Sequence, residues 1–342
     1  MQPRWILARD ESLDGDGISW PALCGSDCIA RLLRRKRFSC VDDVREFLNP
    51  RLSTLGDPFQ LVGMGEVVER ILHAIDHAER VALFGDYDVD GVTSLALLSE
   101  MLRAYGCEPA LFLPHRIDEG YGLSADGVAR CCKQHQPQLL IAIDCGTSSI
   151  AEIAMLRKQG VDVIVLDHHE PKTELPDCLL VNAKASSESP LTYLCSVGLT
   201  FKLCHALLKT RRIDFDLKAA LDLVALGTVA DIVPLRGDNR VFVKSGSVAL
   251  AQSPRQGIAK LMQAAGVKPP IMPEDIGFRL GPRLNAAGRL DTAEKALRLL
   301  LTQDPLEAER LAAELDAQNR ERQDVEKRIV AEAEEKLSKE FD

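Results

Sequence analysis

Residues 81–94 read VALFGDYDVDGVTS, and this stretch decides the fold. Val81 to Phe84 are apolar and few enough to predict a buried strand, after which Asp86, Asp88 and Asp90 recur at every second position until Gly91 breaks the run. An extended chain would point all three carboxylates to one side. Three like charges there repel one another, and a divalent cation among them is the simplest relief. Leu95, Leu97, Leu98, Met101, Leu102 and Tyr105 then predict a helix that stops at Gly106. D-x-D-x-D-G also opens a calcium-binding EF-hand loop. That reading fails, because the twelfth position is Leu97 rather than Glu and the preceding segment is strand-like. An acidic solvated turn is the plainer alternative.

Working outward, short apolar runs recur at Ala110–Leu113, Leu139–Ile143, Val161–Leu166 and Leu179–Val181, with helical patterns between the first four runs of the series. This predicts an α/β fold, a five-stranded and mainly parallel sheet flanked by helices. The helix before the fourth strand carries a capping-box pattern, Ser149 with Glu152, and a stop at Gly160. Right-handed crossovers bring the C-terminal strand ends to one edge, where ligands of open α/β sheets bind. Asp86, Asp88 and Asp90 leave the first strand, Asp144 the third, and Asp167-His168-His169 the fourth. No G-x-G-x-x-G and no Walker A sequence follows any of them. Oxygen and imidazole donors without thiolate suit Mn²⁺ or Mg²⁺.

Residues 197–230 predict two helices, and in VALGTVADIVP Asp231 is an acid within an apolar run, either a metal ligand or a helix cap. RLGPRLNAAGRL at 279–290 holds Arg279, Arg283 and Arg289 with Asn285 and no acid, a composition suited to a phosphate backbone. From Pro305 a long charged helix is predicted, with Leu306, Leu311, Leu315, Val325, Ile329 and Leu337 along it. Arg31, Arg34, Arg35, Lys36 and Arg37 form a basic cluster that is either a solvated helix face or a nucleic-acid contact.

The net charge of -9 argues against a protein that coats nucleic acid unspecifically. No apolar run approaches the ~18 residues of a membrane span, and MQPRWILARDESLDGDG has no signal-like core, so the expected location is the cytoplasm. The ten cysteines are scattered without a CxxC pair. Cys24, Cys28 and Cys40, like Cys131 and Cys132, are expected to be reduced packing residues.

Taken together, FGDYDVDG, Asp144, the Asp167-His168-His169 triplet and VADIVP resemble the motifs of the DHH phosphoesterases. PHRIDEGYGL at 114–123 and RLNAAGRL resemble, more narrowly, the RecJ single-strand-specific DNA exonucleases. The resemblance implies hydrolysis of single-stranded DNA from the 5′ end to 5′-mononucleotides, in repair and recombination, with a single-strand-binding protein and a helicase as partners. It implies two Mn²⁺ or Mg²⁺ ions about 4 Å apart. Asp86, Asp88, Asp90, Asp144, His168 and Asp231 would be their ligands, Asp144 bridging, with His169 against the scissile phosphate. Phe84 stands where some relatives carry a further histidine. Arg116 would meet the 5′-phosphate, and Arg283, Asn285 and Arg289 the strand. Four segments are expected: 1–60 helical and irregular, 61–235 the DHH domain, 236–304 a helical extension, and 305–342 a linking helix. The signatures of a DHH-associated domain and an OB-fold do not follow, so weak DNA binding and low processivity are expected. Another phosphodiesterase acting on short oligonucleotides or cyclic dinucleotides, and a catalytically weak core or scaffold, are the alternatives.

Overall fold

The structure, a computed structural model, describes residues 20–36, 38, 40–115, 119–120, 122–186, 189–290 and 292–341. The chain forms two compact units, Met1–Thr54 and Leu55–Asp342. In the first, helices α1 (Trp20–Cys24), α2 (Asp27–Arg34) and α3 (Val41–Leu48) bury Trp20, Ala30, Leu33 and Val44 together. Arg31, Arg35 and Lys36 lie on its exposed surface, while Arg37 and residues 1–19 fall outside the described residues. Cys28 and Cys40 are exposed, which corrects their reading as packing residues. All ten cysteines are free thiols, and Cys131 is buried as expected.

The second unit is built on a sheet of five strands among the described residues, in the order β2-β1-β3-β4-β5. These are β1 (Val81–Gly85), β2 (Ala110–Phe112), β3 (Leu139–Ile143), β4 (Asp162–Leu166) and β5 (Leu179–Val181), and every pairing is parallel. Their continuous apolar runs follow from burial on both faces. One layer beneath the sheet gathers Phe84, Phe112, Leu140, Val163 and Val165 with Val128, Ile153 and Leu156 from flanking helices. The register is what matters for function. Gly85 pairs with Ile143, Ile143 with Leu166, and Leu166 with Val181, so the strands end level. The chain goes from β1 outward to β2 and returns to place β3 on the other side, which opens a crevice between the ends of β1 and β3.

Helix α4 (Met64–Asp76) leads into β1, and α5 (Val89–Ala104) follows it with Tyr105 as C-cap and Gly106 at φ 84°. Helix α6 (Ala125–His135) precedes β3, and α7 (Ile150–Lys158) precedes β4. The Ser149–Glu152 capping box does not form. Ser149 sits at ψ 57°, its amide bound to Gly146 in a turn, and this is not the extended cap geometry that aims a hydroxyl at the helix amides. Beyond β5 come α8 (Ser196–Thr210), α9 (Leu221–Ala230), α10 (Gly237–Ala251) and α11 (Gln256–Ala265). A π turn at Ile276–Leu280 leads into α12 (Gly281–Leu290), then α13 (Glu294–Leu301) and α14 (Pro305–Phe341). Helix α14 packs against α11 and α12 through Ala308, Leu311, Ala312 and Leu315, while Ile329, Val330 and Leu337 further along are exposed.

Candidate metal centre

Because the strands end level, the residues that leave them emerge side by side: Asp86 after β1, Asp144 after β3, Asp167 after β4 and Asn182 after β5. The three aspartates are buried to within 1% exposure. The alternation expected for Asp86, Asp88 and Asp90 is not realised by an extended strand. The chain turns after Gly85, Asp88 caps α5 by accepting from the Gly91 amide at 3.0 Å, and Asp90 lies in the first helical turn. The turn is this tight because Gly91 has no side chain; a Cβ there would lie 2.5 Å from the Asp86 carbonyl oxygen.

His168 joins the carboxylates. Its Nε2 stands 3.3 Å from Asp144 Oδ1, 3.6 Å from Asp231 Oδ2 and 3.8 Å from Asp90 Oδ2. Three overlapping sets have donor atoms mutually within 4.8 Å: Asp86, Asp88 and Asp144; Asp90, His168 and Asp231; and Asp144, His168 and His169. Asp144 belongs to two of them, which is the placement a bridging carboxylate needs. Asp231 occupies the C-cap position of α9, and its carboxylate belongs to one of these sets.

The electrostatics describe a site built for cations. Burial, then the charges of Asp231 and Asp88, raise Asp90 well above the usual carboxylate range, against the opposing amides of Val197 and Ser196. Burial and the neighbouring aspartates raise Asp144 likewise. Asp231 is pushed up to about 6 by burial and Asp88. Burial and His169 push His168 down to about 4, leaving a neutral imidazole with a lone pair to donate. Asp231 Oδ2 is buried without a hydrogen bond. Repelling carboxylates, an unbonded acceptor and a neutral imidazole fit hard divalent ions.

A supporting layer fixes these groups. The Ser196 hydroxyl donates to Asp144 Oδ1 at 2.8 Å, while the Ser196 and Val197 amides at the start of α8 donate to Asp90 at 2.7 and 2.8 Å. That helix terminus supplies partial positive charge to a buried carboxylate. Asp167 orients His169, with Nδ1 2.7 Å from Oδ1, and also accepts from the Thr147 amide. Burial opposes ionisation of Asp167, but these bonds outweigh it and hold the carboxyl far below its usual range. The same pair raises His169, whose ring is 43% exposed and faces outward. Asn182 donates to the Thr147 hydroxyl and the His169 carbonyl, both at 2.9 Å. Ser196, Thr147 and Asn182 were not anticipated from the sequence; the signal for Ser196 was a small polar residue opening a predicted helix.

The expected strand contacts are placed differently from one another. Arg283 donates from Nε to Asp316 at 2.9 Å and from a terminal nitrogen to the Arg279 carbonyl, so its guanidinium ties α12 to α14. Arg279 is engaged by Asp275 and the carbonyls of Ala265 and Gly266. Asn285 accepts from the Val89 amide at 3.1 Å. Arg116 and the Arg289 side chain lie outside the described residues. Three residues on from Arg116 in sequence, Glu119 accepts from the His115 amide and pairs with Arg130 at 2.6 Å.

A level-ended parallel sheet with this cluster on its edge defines a DHH-type domain, and residues 80–228 match the model of the DHH family, N-terminal domain. The chain is 38% identical over 308 residues to the single-stranded-DNA-specific exonuclease RecJ of Bacillus subtilis, spanning 89% of this chain and 38% of that protein. Solved structures are similar as well. A manganese-bound exonuclease RecJ is 37% identical with TM-score 0.74, over 80% of this chain and 69% of that one. RecJ of Thermus thermophilus in complex with Mn²⁺ is 34% identical with TM-score 0.75, over 84% and 41%. The chain belongs to the RecJ family. It spans well under half of the Bacillus protein's length.

Proposed function

We propose that this chain carries the catalytic core of a metal-dependent exonuclease that hydrolyses single-stranded DNA 5′ to 3′, releasing 5′-mononucleotides, in repair and recombination. The observation that carries the reading is His168 Nε2 within 3.8 Å of Asp90, Asp144 and Asp231 on the edge of a parallel sheet. Asp86, Asp88, Asp90, Asp144, His168 and Asp231 would hold two Mn²⁺ or Mg²⁺ ions; both similar structures cited above contain manganese. Bound there, the ions supply Lewis acidity to a phosphate and to water. His169, half-exposed and made more basic by Asp167, would hold a proton against the scissile phosphate. Arg116 is our candidate for the 5′-phosphate and Arg289 for the strand. A cavity of about 230 Å³ is lined by Ala230 and Ile232, the sequence neighbours of Asp231, with Pro282, Asn285 and Arg322. Action in the cytoplasm, with a single-strand-binding protein and a helicase, completes the proposal.

The test is digestion of one oligonucleotide labelled at either end, with a cyclic dinucleotide as rival substrate. Early release of labelled mononucleotide from the 5′ label, with the 3′ label staying in long fragments, is expected. Preferential hydrolysis of the cyclic dinucleotide would replace this reading with the other phosphodiesterase.

A further inference from the structure

Val89 opens α5, and its N–H is one of the donors that a helix's own carbonyls never reach. Asp88 Oδ1 is already committed to Gly91. The acceptor for Val89 comes instead from α12, as Asn285 Oδ1 at 3.1 Å. One turn further along α12, Gly288 lies against the same segment. A Cβ on Gly288 would sit 2.7 Å from the Tyr87 carbonyl oxygen and 3.2 Å from its ring. The turn that delivers Asp86, Asp88 and Asp90 is thus pressed between two residues without side chains, Gly91 within and Gly288 from α12. Helix α12 is in turn fastened to α14 by Arg283 and Asp316.

From this geometry we infer that Asn285 is a positioning residue of the metal centre. By holding the Val89 amide it fixes the Tyr87–Val89 turn, so that the remaining oxygen of Asp88 and the carboxylate of Asp90 face the cluster. The bond uses only Oδ1, so this role stands beside the strand contact that composition suggested for the motif. The inference rests on reading the cluster as a metal centre.

Manganese alone, titrated calorimetrically into the metal-free full chain without DNA, separates the two roles. Asn285→Ala should weaken Mn²⁺ binding by about 10- to 100-fold, the usual cost of losing an outer partner of a metal ligand. Gly288→Ala should weaken it too, by displacing Tyr87. Asn285→Asp keeps the acceptor oxygen and should bind Mn²⁺ at least as tightly as wild type, although an added negative charge would harm a DNA contact. Circular dichroism establishes that each variant is folded; if Asn285→Ala is not, the opposite responses of Gly288→Ala and Asn285→Asp carry the test. Unchanged Mn²⁺ affinity in Asn285→Ala or, should it not fold, in Gly288→Ala, with wild-type binding intact, overturns the positioning role alone. A wild type that binds no Mn²⁺ overturns the metal reading and this inference with it.

Discussion

Asp144 stands at φ 65°, a left-handed conformation that costs most residues free energy and that Asn and Asp bear best, and it is buried among other carboxylates. Asp144→Asn keeps that conformation and the acceptor for Ser196 but deletes one charge from a crowded group. In the metal-free chain we therefore expect Tm to rise by roughly 2–4 °C, about 1 kcal/mol for a domain of this size, while the Tm gain on adding Mn²⁺ disappears. The contrast should grow as pH rises. Burial and neighbours raise the folded pKa of Asp90 and Asp144, so the metal-free chain loses stability as pH climbs through those folded values. A variant with an undiminished Mn²⁺ response would exclude Asp144 as a ligand. Glu119 has the opposite sign: its hydrogen bond with Arg130 holds the carboxyl below its ordinary 4.5. Glu119→Gln should cost roughly 2 kcal/mol at pH 7, and the two proteins should converge as pH falls through the folded Glu119 value. Urea denaturation at pH 7 and well below pH 4.5 reads both, and an equal gap at the two would show that the ion pair is not the cause. At this scale the aspartates were legible because an acid ending an apolar run has few physical explanations. Ser196 and Thr147 were not, because a small hydroxyl residue near a turn has many.

At the scale of the elements, α5, α8 and α12 meet around one turn of chain: α5 brings the Asp90 carboxylate, while α8 and α12 contribute backbone amides and a side-chain amide rather than charge. Helix α12 is expected to grip a strand with its arginines, and Arg283 bridges it to α14 through Asp316, with both partners about 15% exposed. Arg283→Ala should lower stability by about 2 kcal/mol, less than for a fully buried pair because Arg320 still faces Asp316. Differential scanning calorimetry checks this; an unchanged Tm with weakened binding of single-stranded DNA would show a strand contact and no bridging role. The strands were legible because parallel strands covered on both faces need uninterrupted apolar runs. The capping box was misread because its sequence signature does not encode ψ of Ser149, which the preceding turn sets. Nor could spacing reveal that Asp90 reaches the cluster from a helix rather than a strand, since both routes begin with the same D-x-D-x-D.

For the whole molecule, strand order decides where chemistry can happen. Reversal between β1 and β3 opens the crevice, and level strand ends fill it with Asp86, Asp144, Asp167 and Asn182. The buried Asp86, Asp90 and Asp144 concentrate acid where cations would neutralise it, so on the proposed function nucleic acid should approach only a metal-loaded site. The most direct measurement is to strip the purified chain with chelator, return Mn²⁺ stepwise, and follow a 5′-phosphorylated single-stranded oligonucleotide, with Asp144→Asn in parallel. Release of 5′-mononucleotides that tracks Mn²⁺ occupancy in the wild type and is absent from the variant is the predicted result. Cleavage without divalent cation, equal cleavage by Asp144→Asn, or none at Mn²⁺ saturation would contradict it.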